Sequence, residues 1–210
     1  MKSKVKQRLN VDQRKQAMLM AARELFLAKG YAATNLDEVV AKSGGSLTTL
    51  YQIFGNKEGL WRELVLTYGT RVTAPLEDEH LSDGPPRTVL RDFAERLLTL
   101  QLNPDVAGGI RIIMAEGKQF PDLSRTIYAA GPMRGRRIVA QYLAREVEHG
   151  TLDIPDPALA AEMFCQMVEG DVLLWLACGI GPSWTQADIK RRLDLAVEMF
   201  LNTYERKAAV

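Results

Sequence analysis

Apolar residues recur at three- and four-residue steps along most of the chain, and no stretch alternates apolar and polar positions as a strand would. The first stripe, Met18, Ala22, Leu25 and Phe26, predicts a helix over 12–29, with Asp12 as its N-cap and Gly30 as its end. A second helix is expected over 35–43. Thr34 and Asp37 make a capping-box-like start, Leu36, Val39 and Val40 face inward, and Gly44 supplies a left-handed residue after the last turn. Ser46 then caps a short helix over 47–54 with Leu50, Ile53 and Phe54 inside, and Asn56 caps a fourth from 57 with Leu60, Trp61, Leu64 and Val65 apolar. The stretch "PLEDEHLSDGPP" (75–86) is charged, rich in proline and glycine, and reads as a boundary. Longer helices follow over 87–102, 105–118, 122–149, 157–179 and 185–205, separated by "LNPD", "FPD", "GTLDIPDP" and "GIGPS". The pattern is a small helical head on a larger helical body.

The element over 47–54 needs a reason to exist. Eight residues are too few for a stable isolated helix, and half of these are polar. A helix, a glycine turn and a short second helix make a helix-turn-helix, whose second helix lies in the DNA major groove with its N-terminal residues toward base edges. Anchored by Leu50 and Phe54, the short helix can offer its polar face rigidly. The expected fold is therefore all-α: an N-terminal three-helix helix-turn-helix DNA-binding domain, residues 1–60, followed by a larger helical domain, residues 61–210.

Charge supports that division. The net charge of the 210-residue chain is +1. Residues 1–60 hold ten Lys/Arg against five Asp/Glu, and residues 61–210 hold seventeen against twenty-one. A basic head on an acidic body suits one polyanionic partner at one end. Apolar residues make up 47%, enough for a real core. The basic start "MKSKVKQRLN" lacks the apolar run of a secretory leader, and "VLLWLACGI" (172–180) is about half of what a bilayer needs. A cytoplasmic protein without membrane contact is expected. Cys165 and Cys178 give no disulfide framework, and the two histidines form no ligand-spaced cluster. With no phosphate-cradling glycine loop and no nucleophile elbow, the sequence calls for no catalytic residue, metal or cofactor, and argues against an enzyme.

"AARELFLAKGYAATNLDEVVAKSGGSLTTLYQIFGNKEGLW" resembles the N-terminal DNA-binding region of the TetR family of bacterial transcriptional regulators, over roughly residues 12–65. The shared features are "ELF", "GYAAT", the "LY" of the third helix and "FGNKEGL", in the family's order and spacing. "AEGKQFPDLSR" and the helices after it are similar to the C-terminal domain of AefR-like members. The resemblance implies DNA contacts at matching positions. Thr34 would hold phosphate at the start of the second helix. Ser46 would open the recognition helix, Leu47 and Thr48 would face base edges, and Thr49 and Tyr51 would meet phosphate. Gln52 would face either, and Lys57 would bring its ammonium to a phosphate at a positive helix end. Gln suits adenine N6/N7, and Thr or Leu can meet a thymine methyl. Ile53 stands where the family often has histidine, and Gly45 where it usually has an aliphatic residue.

In the body, Ile189, Leu193, Ala196, Val197, Phe200 and Tyr204 form one stripe. The resemblance assigns this face and the preceding helix to a homodimer through a four-helix bundle, which suits a palindromic operator. It also implies a cavity for a small, mostly apolar effector, with Met114, Phe120, Tyr128, Met167 and Trp175 as wall candidates. Glu116, Glu169 and Asp171 stand in apolar surroundings and need partners: Arg111, an arginine across the dimer, or a cationic ligand. The expected function is a DNA-binding transcriptional regulator, a repressor released by its effector. The alternative is a ligand-independent DNA binder whose body only dimerises.

Overall fold

The computed structural model describes residues 10–73, 84–181 and 183–206, and all its named elements are helices. The head contains α1 (Val11–Lys29), α2 (Leu36–Ser43), α3 (Leu47–Phe54) and the first half of α4 (Lys57–Thr73). The body contains α5 (Pro86–Gln101), α6 (Pro104–Glu116), α7 (Pro121–Ala130), α8 (Pro132–Glu148), α9 (Pro157–Glu169), α10 (Val172–Ala177) and α11 (Gln186–Tyr204). No helix among the described residues is long and apolar enough to cross a membrane.

Helix starts follow local chemistry. Each of α5 to α9 begins on proline, whose missing N–H costs nothing in a first turn and whose fixed φ suits it. Asn103 and Asp156 add side-chain caps to α6 and α9, and Thr185 and Asp188 cap α11 reciprocally. In the head, Ser46 accepts from the Thr49 N–H, and Asn56 Oδ1 accepts from the Gly59 N–H at 2.7 Å. Gly44 closes α2 in the left-handed region at φ 72°.

Four expectations about the helices are corrected. The cap of α1 is Asn10, reciprocal with Gln13, rather than Asp12. The cap of α2 is Asn35, whose partner is Glu38, rather than Thr34 with Asp37. The expected helix over 122–149 is two helices that part at Gly131, because Pro132 cannot continue the hydrogen-bond ladder of α7. The expected helix over 157–179 breaks at Gly170, φ 50°. The expected boundary stretch lies outside the described residues except for Gly84, Pro85 and Pro86, and the division expected at residue 60 falls inside α4.

Two apolar cores form. The body core joins α5, α8, α9 and α11, with Phe93, Tyr142, Phe164 and Phe200 fully or nearly buried. Of the six residues expected to face a second subunit, Leu193, Ala196, Val197 and Phe200 are buried inside this core, and Ile189 and Tyr204 pack against it. They are therefore corrected to the protomer's own interior. The outer face of α11 carries Leu195 and Met199, and that of the neighbouring α9 carries Leu159 and Met163, all four about half exposed. The head core surrounds Met18, Phe26, Val39, Leu50 and Trp61, and it includes Ile112 and Leu123 from the body. Met18 also explains Gly45. A Cβ there would lie 2.3 Å from the Met18 methyl, so the long side chain of α1 fills the place of the usual aliphatic residue.

Gly59 lies in the first turn of α4, where it packs against the end of α3. A Cβ at that position would fall 1.9 Å from the Phe54 carbonyl oxygen, which is backbone and cannot step aside. Gly59→Ala should therefore lower stability by about 1–3 kcal/mol, seen as a lower urea midpoint. The neighbouring Glu58→Ala removes only an exposed pair with Arg62 and should cost less than about 0.5 kcal/mol.

Candidate nucleic-acid interface and the cavity behind it

The short helix α3 has two distinct sides. Leu50 is fully buried and Phe54 nearly so. Thr48, Tyr51 and Gln52, at steps of three and four, are exposed together, and Leu47 and Thr49 are half-buried at the edges. Ser46 Oγ and Thr49 Oγ1 lie 2.9 Å apart and hold the first turn rigid. Among the expected contact residues, Thr34 is the exception. It is 3% exposed, and its hydroxyl donates to the Gly30 carbonyl at 2.8 Å. That hydroxyl holds the turn between α1 and α2 together and is not free for a phosphate.

Lys57 opens α4 close to this turn. Its Nζ donates to the Ala32 carbonyl at 3.1 Å and lies 4.5 Å from the centre of the Tyr31 ring. Burial lowers its pKa, and the nearby Glu116 carboxylate pulls the other way. An ammonium has three donors, so it retains donors beyond the one given to Ala32. Three other head cations are committed to carboxylates, Lys15 to Glu63, Lys29 to Glu38 and Lys42 to Glu24, and Arg62 further along α4 pairs with Glu58. Four of the ten head cations, Lys2, Lys4, Lys6 and Arg8, lie outside the described residues, and the head's positive excess rests largely on them.

Glu116, expected in a ligand cavity, instead reaches the head. From the last turn of α6 its carboxylate accepts from the Tyr31 N–H at 2.9 Å and the Ala32 N–H at 2.5 Å. Gly30, at φ 87°, leaves room for it, since a Cβ there would stand 2.6 Å from Glu116 Oε1. The partner sought for this carboxylate is thus a pair of backbone amides, and Arg111 points to the Leu176 carbonyl. Beside it, Phe120 meets Tyr31 edge-on at 5.0 Å, and Tyr31, Phe26 and Trp61 pack ring against ring at 5.4–5.8 Å.

Behind this seam lies a cavity with about 180 Å3 of room for the centre of a water-sized sphere, roughly ten times or more what one water requires. Phe26 and Leu27 of α1 and Trp61, Leu64 and Tyr68 of α4 wall it on the head side. Leu97 and Gln101 of α5, Ile110 of α6, Ile127 of α7 and Cys165 of α9 wall it on the body side. Four charged residues line it: Arg23, Asp105, Arg136 and Glu169. Arg23 is paired with Asp105. Burial raises the Glu169 pKa, which Arg136 and a hydrogen bond from Gln101 partly offset. Burial pushes the Cys165 thiol up to about 12, so it stays protonated and inert at neutral pH.

None of the six residues expected to line a ligand site lines this cavity. Met114 and Tyr128 are exposed, and Tyr128 accepts from Arg136. Glu116 and Phe120 belong to the seam, Met167 packs on the body core, and Trp175 stacks edge-on with Trp184 at 5.3 Å. Asp171 is exposed at the corner before α10. Of the three carboxylates singled out, Glu169 alone lines the cavity. One signal for the wall of this cavity was available: Gln101 continues the inward stripe of Phe93 and Leu97, where a polar side chain needs a reason. Nothing in the sequence pointed to Trp61, whose place on an apolar stripe marks it only as core.

Gly109 lines the cavity, and a Cβ there makes only ordinary contact, 3.5 Å from Ile127. Gly109→Leu should fold normally and fill part of the space. Uptake of an apolar dye that brightens on burial should fall about tenfold or more, with the melting temperature kept.

The chain matches known proteins over both parts. The family model for bacterial regulatory proteins of the tetR family covers residues 18–64, and that for the AefR-like transcriptional repressor C-terminal domain covers residues 88–206. The flavonoid-responsive regulator FrrA is 30% identical, with a TM-score of 0.83 over 94% of this chain and 100% of that one. A TetR-family transcriptional regulator from Mesorhizobium loti MAFF303099 is 25% identical, also at 0.83, over 95% and 100%. The transcriptional repressor ComR of Escherichia coli K12 is 28% identical over 140 residues, 65% of this chain and 66% of its own. The exposed face of α3, set on a buried Leu50–Phe54 anchor and backed by a helical body, is thus the arrangement of a transcriptional regulator, and the chain belongs to the TetR family, with an AefR-like C-terminal domain.

Proposed function

We propose that this regulator is a repressor that binds a palindromic operator as a homodimer and leaves it when a small, mostly apolar ligand enters the seam cavity. The observation that carries this reading is the origin of the cavity walls. α1 and α4 supply one side and the body the other, so an occupant acts directly on the angle of α4. That helix starts at Lys57, beside the turn that Glu116 holds from the end of α6. The likeness to FrrA, which is flavonoid-responsive, supports an apolar effector. The rival reading, a body that only dimerises, leaves the seam cavity and its buried polar groups without a task.

On DNA, Thr48 and Gln52 face base edges, with Leu47 against a thymine methyl, while Ser46, Thr49, Tyr51 and Lys57 hold phosphates. Thr34 drops out of this set because its hydroxyl is spent on Gly30. The second copy packs on the bare face of α9 and α11. Leu159, Met163, Leu195 and Met199 support this, being four large apolar side chains at i, i+4 spacing with no cover in the protomer.

Selection from random duplexes followed by titration tests the DNA reading. Lys57→Ala should weaken binding to all sequences and flatten the salt slope by about one unit. Gln52→Ala should change preference at one position by about 1–3 kcal/mol. Parent-like binding by both variants would move the recognition surface elsewhere. The dimer is tested by sedimentation: Leu195→Glu with Met199→Glu should give folded monomers, whereas Leu193→Glu buries a charge in the body core and should unfold the chain. Control is tested by reciprocity. A ligand that weakens operator binding tenfold must bind the DNA complex tenfold more weakly, a coupling of about 1.4 kcal/mol. Equal affinity for free and DNA-bound protein would refute release by ligand.

A further inference from the structure

A carboxylate at the end of α6 needs an explanation. Glu116 is the last residue of that helix, where the carbonyl end of the helix dipole disfavours negative charge. Its side chain crosses to the head and accepts from the Tyr31 and Ala32 N–H groups at 2.9 and 2.5 Å. Gly30 makes that approach possible, since a Cβ there would lie 2.6 Å from Glu116 Oε1. The main chain of Glu116 supports the same turn. Its carbonyl accepts from the Phe120 N–H at 2.9 Å, and the Phe120 ring meets Tyr31 edge-on at 5.0 Å. One residue of the body therefore holds two residues of the head, directly by its side chain and through Phe120 by its backbone.

The turn so held positions a cation. Lys57 Nζ donates to the Ala32 carbonyl at 3.1 Å and sits 4.5 Å from the centre of the Tyr31 ring. Ala32 gives its N–H to Glu116 and its carbonyl to Lys57. Tyr31 gives its N–H to Glu116 and its ring to Lys57. Burial works against the charge of Lys57, the Glu116 carboxylate supports it, and Lys29 opposes it. A free lysine has many rotamers and loses that freedom when it settles on a phosphate. Lys57 has given up much of it before DNA arrives, and its ammonium still has donors to offer.

We propose that Glu116 is a positioning residue for operator binding: a body side chain that does not touch DNA, it holds the Tyr31–Ala32 turn so that the Lys57 ammonium stands preset for a phosphate. The assignment rests on the reading of Lys57 as a phosphate contact. It makes the body a contributor to DNA affinity with no ligand present. It also gives α6 a direct path to the DNA surface, because a shift of its last turn moves the carboxylate, the turn and the ammonium together.

The test titrates the full chain, without added ligand, against an operator duplex selected from random sequences and against a random duplex, at several salt concentrations. The parent, Lys57→Ala, Glu116→Gln and the double variant form a cycle. Glutamine keeps the shape of Glu116, but its amide nitrogen cannot accept from the second N–H. Glu116→Gln should weaken both duplexes by the same factor, about five- to tenfold, because a phosphate contact carries no sequence information. It should flatten the salt slope in the same direction as Lys57→Ala, by up to about one unit. In the Lys57→Ala background it should cost less than about twofold. A role in stability alone would lower the melting temperature and leave the salt slope as in the parent. Where Lys57→Ala binds weakly, three results overturn the assignment and leave the Lys57 contact standing: parent-like or tighter binding by Glu116→Gln, a loss confined to the operator, or an equal loss in both backgrounds. Parent-like binding by Lys57→Ala refutes the phosphate contact itself, and the assignment with it. If Glu116→Gln does not fold, Glu116→Asp, which keeps the charge but falls one methylene short, goes through the same cycle with the same expectations. Failure of both to fold makes Glu116 a structural residue only and overturns the assignment.

Discussion

The structure depends on the contact between the Glu116 carboxylate and the amides of Tyr31 and Ala32. A carboxylate accepting two backbone N–H groups is a charge-assisted bond, stronger than a neutral one. It ties the end of α6 to a turn that the head must keep in order to orient α2, α3 and α4. The rings of Phe26, Tyr31, Trp61 and Phe120 close around the same point. The head core is not complete without this seam, because Ile112 and Leu123 of the body are buried within it. Head and body are therefore one mechanical object at α4, even though two separate cores stabilise them.

That construction places the cavity where it has leverage. A pocket inside the body core would be insulated by close packing, and its occupant would move nothing at α3. The seam pocket instead shares Phe26, Trp61 and Leu64 with the head core. Interiors are densely packed and transmit strain, so a change in this wall bears on α4 as well as on the body.

The final helix shows how one element serves two surfaces. On α11, Leu193, Val197 and Phe200 complete the protomer's core, while Leu195 and Met199 sit on the opposite flank. A periodicity argument finds the stronger stripe and gives it the more interesting role, and on α11 that exchanges inside for outside. The outer flank sets Leu195 and Met199 among Arg191, Glu198 and Asn202, and the stronger inner stripe does not say whether its cover is the protomer or a second copy, so hydrophobicity alone does not assign the flanks their roles. What distinguishes them is which flank α5 and α9 cover.

The sequence by itself determined the all-α class, the helix-turn-helix and most helix ends, because these rest on local rules. Caps such as Ser46 and Asn56, the glycine at 44 and the prolines that open α5 to α9 act within a few residues of themselves. Where local reading failed, a rule of equal range was missed: Pro132 ends a helix as surely as Pro121 begins one. The placement of Leu50 and Phe54 inside, with Thr48, Tyr51 and Gln52 outside, was also legible, since a helix of eight residues has few ways to bury one face. The cavity was not legible. Its wall is assembled from α1 and α4 through α10, and apart from Gln101 and Glu169 the residues that line it read on their own helices as ordinary core or ordinary surface. Glu116 and Glu169 look alike in sequence, each a carboxylate at the end of an apolar helix. One caps a turn more than eighty residues away and the other lines the pocket. Only the way α6 and α9 pack against their neighbours decides between those fates, because hydrogen bonding and burial depend on partners that sequence spacing does not bring together.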